Sequence, residues 1–185
     1  MMAFTIPTWL TLFRILTIPL MVIAFYWDHP GNHFIAAMIF TVGGLTDWLD
    51  GWIARRFNMG SAFGAFLDPV ADKLSVAITL FIVVQDHPTV YMAMLAAIIV
   101  GREITISSLR EWMAHMGAHG LVKVAGLGKI KTIFQLVALG CLIYQENLFG
   151  LPTFLIGQWL LTIAAILTLW SGWDYLRAAW PSMQK

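Results

Sequence analysis

The chain has 185 residues, 59% of them hydrophobic and 11% charged, with a formal net charge of +1. That length suits one domain over 1–185, while nine tryptophans, twelve phenylalanines and a mean hydropathy of +0.78 exclude an ordinary soluble protein. Apolar runs recur along the whole chain, which neither a single anchor nor a signal peptide would give.

In chain order, the apolar runs and their breaks predict membrane helices at roughly 8–27, 34–56, 69–85, 89–113, 130–146 and 151–176. The lead before the first has no basic n-region and no small-residue cleavage site, so that helix is expected to stay attached. The breaks carry turn chemistry at Asp28-His29-Pro30-Gly31-Asn32, at Asp86-His87-Pro88 and from Asn147 to Pro152. Asp28, Asp86 and Glu146 lie at these breaks, with no Lys or Arg. The bases gather toward the opposite ends of the spans, Arg14 in the N-terminal lead included. The positive-inside rule then places both termini on the cytoplasmic side. The expected fold is an all-α polytopic membrane protein with six transmembrane helices.

The uninterrupted apolar part of the middle spans is short: Phe34 to Thr46, Leu74 to Val84 and Thr89 to Val100. At ~1.5 Å per residue each covers only ~16–20 Å of a ~30 Å hydrocarbon core. A full span must continue into Asp47 to Arg55, Asp68 to Lys73 and Arg102 to Arg110. Those charges cannot face lipid. The pattern predicts a polar cavity open to the cytoplasm and sunk into the bilayer.

Four of the 10 acidic residues stand in one frame, Asp47-x2-Asp50-Gly51-x2-Ala54-Arg55-x8-Gly64-x3-Asp68-x3-Asp72. On a helix Asp47, Asp50, Gly51 and Ala54 share a face, and so do Asp68 and Asp72. The two small residues would let a bulky ligand approach the backbone. Pro69 suits the first position of a new helix with Asp68 as its N-cap, and Gly60 and Gly64 would let the connection turn. Taken singly, these acids could be ordinary partners of Arg55 or Arg56, or a plain cap. Together, as a hairpin of helix ends, they would repel one another strongly in a half-dry site unless cations joined them. The donors are all hard oxygens, which favours two Mg²⁺ or Mn²⁺ ions over zinc and suits phosphoryl-group transfer.

A second polar region holds Arg102, Arg110, Lys123, Lys129 and Lys131, with Thr105 or Ser107 between the arginines. Bases at helix ends suit an acceptor that bears a phosphate, although cytoplasmic loops also collect bases for topology alone. Glu103 and Glu111 each adjoin an arginine and are read as ordering it. Cys141 lies in an apolar run and is read as inert packing. The five histidines lack ligand-spaced partners. No nucleic-acid partner is expected.

The aspartate frame resembles the signature of the CDP-alcohol phosphatidyltransferase family, filled at all eight positions across 26 residues. The resemblance implies a six-helix membrane enzyme of the CDP-alcohol phosphotransferase fold, usually a homodimer, that uses two divalent cations. An alcohol would attack the β-phosphorus of CDP-diacylglycerol and release CMP. Carried over residue by residue, Asp47, Asp50 and Asp68 are metal ligands, and Asp72 is a ligand and the candidate catalytic base. Gly51, Ala54, Arg55 and Gly64 would line the CDP-diacylglycerol pocket. The lead Ile6-Pro7-Thr8-Trp9-Leu10-Thr11-Leu12-Phe13-Arg14, the Arg102-to-Glu111 and Gly128-to-Thr132 stretches, and Gly64 to Lys73 resemble the bacterial branch whose acceptor is sn-glycerol 3-phosphate. That branch makes phosphatidylglycerophosphate among the lipids of the bacterial cytoplasmic (inner) membrane. Rival expectations are a sister enzyme using inositol phosphate or phosphatidylglycerol, a small cation transporter and a purely structural membrane subunit. A transporter would be expected to repeat its acids in both halves, and here they occupy one hairpin.

Overall fold

The computed structural model describes residues 5–57, 61–116 and 127–183. Six α-helices follow in order: α1 (Ile6–Tyr26), α2 (Asn32–Phe57), α3 (Ala62–Asp86), α4 (Val90–His115), α5 (Leu127–Tyr144) and α6 (Thr153–Met183). Each predicted span has its helix, with ends that shift by a few residues. α6 continues about two turns past its predicted end.

The start of α3 differs more. The expectation put Asp68 at the N-cap and Pro69 at the first position, but the helix begins two turns earlier and Pro69 lies inside it. Ser61 is the cap: its hydroxyl oxygen accepts from the Gly64 amide at 2.9 Å and lies 2.8 Å from the Thr8 hydroxyl of α1. A hydroxyl that satisfies an orphan amide and also ties two helices together outweighs the local preference of a proline. Gly64 is therefore not a turn residue. It is buried in the first turn of α3, where an added Cβ would lie 3.0 Å from the Ser61 hydroxyl oxygen and 3.1 Å from that of Thr8. Gly60 lies outside the described residues.

Among the described residues, three helices are long and apolar enough to cross a membrane: α1, α4 and Thr153–Arg177 of α6. In α5, Lys131–Tyr144 is a shorter apolar stretch. α2 and α3 are long enough, but each carries aspartates and bases in the half that the short apolar runs leave over. The outer surface agrees with a membrane protein, since Trp48, Phe81, Trp159, Trp170 and Trp173 are all exposed.

α1 packs chiefly on α2, and α5 on α6; α1 with α3, α4 with α6, α2 with α5 and α3 with α4 close the bundle. Gly157 sets the α5–α6 approach, because a Cβ there would fall 2.9 Å from Leu142 and 3.1 Å from the Ala138 carbonyl. The main apolar core lies toward one end of the bundle, where α1, α3 and α5 finish and α2, α4 and α6 begin. It contains Met21, Phe25, Leu80, Val83, Met92, Ile99, Leu139, Leu142 and Leu161. The aspartates stand at the other end.

Candidate active site

α1 builds one wall of the polar end. Thr8, Thr11 and Arg14 recur at three-residue spacing and all are buried. The Thr11 hydroxyl donates to Asp68 Oδ1 at 2.6 Å. Arg14, only 3% exposed, drives its guanidinium into the middle of the aspartate frame. Nη1 meets Asp47 Oδ1 and lies 2.5 Å from Asp72 Oδ1. Nη2 lies 3.5 Å from Asp50 Oδ2 and 3.6 Å from Asp68 Oδ1.

All four frame carboxylates thus converge on one cation. Asp47 and Asp50 come from the last turns of α2, and Asp68 and Asp72 from the first half of α3. The ion pairs with Arg55 or Arg56 considered for the first two are not made among the described residues. Asp50 is buried, with its side chain 4% exposed, whereas Asp47, Asp68 and Asp72 keep 44%, 44% and 54% of theirs open. One positive charge against four negative ones leaves a strong excess of negative potential at the open side. Among the described residues no group of three acidic, histidine or cysteine side chains stands in an ion-ligating arrangement. The guanidinium occupies the point on which they converge. The donor set itself, hard carboxylate oxygens gathered within reach of one centre, fits Mg²⁺ or Mn²⁺.

The sequence reading counted Arg14, inside the span predicted at 8–27, only among the bases that set orientation; the structure puts it in the third turn of α1 and adds it to the site. The available signal was a single base inside an otherwise apolar span, which by itself marks an intramembrane functional position.

A cavity of about 190 Å³ opens beside the aspartates. Arg14, Asp47, Asp72 and Lys73 line it, and Glu103, Lys131 and Gln135 face them from α4 and α5. Lys131 is buried, and its Nζ lies 2.5 Å from Glu103 Oε1. Glu103 also receives Arg102 Nη1 at 3.3 Å, so it ties two bases together as well as ordering the arginine beside it. Lys73, Glu103 and Gln135 were not among the predicted site residues.

The other predicted bases are placed differently. Arg102 turns toward α6, donating to Ser171 Oγ at 2.9 Å and standing 5.9 Å above the Tyr175 ring. Arg110 is exposed and does not line the cavity. Thr105 and Ser107 donate back to the Gly101 and Glu103 carbonyls of their own helix. Lys123 and the Lys129 side chain lie outside the described residues. Of the predicted bases whose side chains are described, Arg102, Arg110 and Lys131, it is Lys131 that the fold brings to the cavity beside the aspartates.

Gly51, Ala54 and Arg55 continue the aspartate face of α2. Arg55 folds back over Gly51, where a Cβ would lie 3.3 Å from its Nη1. The glycine therefore gives close approach to a guanidinium of its own helix.

This arrangement can bind cations at one wall and hold an anion at the other, with a carboxylate between them. Comparison with known proteins gives it a context. The sequence pattern described as CDP-alcohol phosphatidyltransferase matches residues 4–170. The enzyme named CDP-diacylglycerol–glycerol-3-phosphate 3-phosphatidyltransferase in Escherichia coli strain K12 is 47% identical over 182 residues, covering 96% of each chain. Its namesake in Shigella flexneri serotype 5b is 47% identical over 178 residues, again with 96% of each chain covered. Likeness of this extent, carried by a chain whose aspartate frame closes into one site, makes the protein a member of the CDP-alcohol phosphatidyltransferase family.

Proposed function

We infer that this chain transfers the phosphatidyl group of CDP-diacylglycerol to sn-glycerol 3-phosphate, yielding phosphatidylglycerophosphate and CMP. The observation that carries the reading is the 47% identity, over 96% of both chains, to enzymes named for that donor and that acceptor. The convergence of the four aspartates beside a cavity with a buried lysine supports it.

Asp47, Asp50, Asp68 and Asp72 would hold two divalent cations, which when bound offset the charge of the diphosphate and polarise it toward attack. Asp72 faces the cavity and is the candidate base, taking the proton of the acceptor hydroxyl as its oxygen bonds to the β-phosphorus and CMP departs. Lys131 stands on the same cavity wall as Glu103 and holds the acceptor's phosphate; Arg102, Arg110, Lys123 and Lys129 add positive potential along the approach. Gly51, Ala54, Arg55 and Gly64 border the aspartates and receive the cytidine diphosphate.

The same reading makes 1–185 a single membrane-embedded domain with six crossings. Both termini and the cavity face the cytoplasm across the bacterial inner membrane. It works as a homodimer. The base-free breaks at Asp28, Asp86 and Asn147 to Pro152 support that orientation.

The test is CMP release by purified protein in detergent with CDP-diacylglycerol, Mn²⁺ and a panel of acceptors. Release with sn-glycerol 3-phosphate is expected. Release with inositol phosphate or phosphatidylglycerol instead would move the assignment to a sister enzyme.

A further inference from the structure

Among the described residues, the partners of the Arg14 guanidinium are the site's own acids. Its Nε is buried without a hydrogen-bond partner among the described residues, and both terminal nitrogens point at carboxylates. The guanidinium faces one oxygen of each of the four carboxylates that divalent cations would draw on. Its longer N–O distances run from 2.5 to 3.6 Å, whereas an ion such as Mg²⁺ takes carboxylate oxygens at ~2.0–2.1 Å. A carboxylate oxygen cannot serve both at full strength.

Charge gives the same answer. Four carboxylates and one guanidinium leave an excess of three negative charges, which two divalent cations would overfill by one. That surplus positive charge would sit within a few ångströms of both ions in a half-dry site, where repulsion is scarcely screened. The guanidinium also has somewhere to go, since Arg14 borders the cavity shared with Lys131 and Gln135.

We propose that Arg14 is a resident counter-cation: with no metal bound it holds the four aspartates together, and divalent cations displace its guanidinium into the adjoining cavity. The proposal rests on the reading of Asp47, Asp50, Asp68 and Asp72 as ion ligands. It gives Arg14 two effects of opposite sign. Removing the charge loosens the metal-free protein, because the acids then repel one another unopposed, and it tightens ion binding, because no cation has to be expelled. A residue that only props the fold would weaken both.

The experiment uses the full chain in detergent. Mn²⁺ titrations followed by electron paramagnetic resonance of the free ion compare the native protein with Arg14→Gln and Asp68→Asn. We expect Arg14→Gln to bind Mn²⁺ ~10-fold more tightly, to melt earlier without metal, and to recover its melting temperature when Mn²⁺ is added. Equal or weaker Mn²⁺ affinity in folded Arg14→Gln overturns the proposal. A second arm needs no variant: phenylglyoxal labelling of Arg14 in the native protein, read by peptide mass spectrometry, should rise several-fold when Mg²⁺ is added. Unchanged labelling overturns it too. If Asp68→Asn leaves the Mn²⁺ affinity of the native protein intact, the ion-ligand reading fails first and takes the proposal with it.

Discussion

At the end of the bundle where α1, α3 and α5 finish, the interior is aliphatic, and Leu80, Val83, Met92, Ile99, Leu139, Leu142 and Leu161 are essentially inaccessible. At the opposite end the same helices bury Thr8, Thr11, Arg14, Asp50 and Lys131. The first end is held by close packing, which is what remains to drive association when the surroundings are lipid. The second is held by a few directed contacts around a guanidinium and by two bases sharing Glu103, against the mutual repulsion of four acids. Close packing and chemistry are thus concentrated at opposite ends of the bundle: an acid at the polar end can be neutralised without losing the fold, and an apolar side chain at the other end can be cut back without losing the site.

The largest expected effect tests that separation at the polar end. Asp72→Asn should lower CMP release by ~10³-fold or more, since it removes the proposed general base and a proposed ion ligand together. Its melting temperature should stay unchanged or rise, because one of four repelling charges is gone, and CDP-diacylglycerol binding should survive. A matching loss of thermal stability would mean that the two ends are not separable.

The converse change is Leu139→Ala in the apolar end. It should cost about 2 kcal/mol, the low side of the range for a fully buried leucine, because helices in a bilayer are already out of water before they pack. Thermal unfolding in detergent checks this, with turnover per folded molecule expected within about twofold of the native value.

Smaller effects sharpen the picture within the polar end. Lys131→Ala should raise the acceptor KM by about tenfold while the donor KM changes by less than about twofold, as one charge-assisted contact to a phosphate would. Arg110→Ala, on an exposed position away from the cavity, should raise the acceptor KM by about twofold or less, the size expected of a general attraction. Steady-state kinetics on both variants decides between them, and an Arg110 effect as large as that of Lys131 would extend the acceptor site beyond the cavity.

Legibility in the sequence was uneven for reasons visible in particular residues. The six helices could be read from apolar runs because the runs recur along the chain and each break between them carries Pro, Gly or Asp. Asp47 with Asp50 and Asp68 with Asp72 could be read as faces because helical periodicity is local. The start of α3 could not, because its cap is partnered by Thr8, 53 residues away. Nor could the relation of Lys131 to Glu103, 28 residues apart, or the turning of Arg102 toward α6. Five bases near one another in sequence were indistinguishable until the helices were placed.

By itself, the sequence determined that the chain is a helical membrane protein and that its four aspartates would lie at the polar ends of two successive helices. Both follow from the composition and spacing of neighbouring residues, which act on the backbone within a turn or two. Only the tertiary structure decided what stands among those aspartates. Arg14 is separated from Asp47 by 33 residues and from Asp72 by 58. Its burial is tolerable only when α1, α2 and α3 pack so that four carboxylates meet one guanidinium, since an unpaired charge at that depth would be expelled toward water.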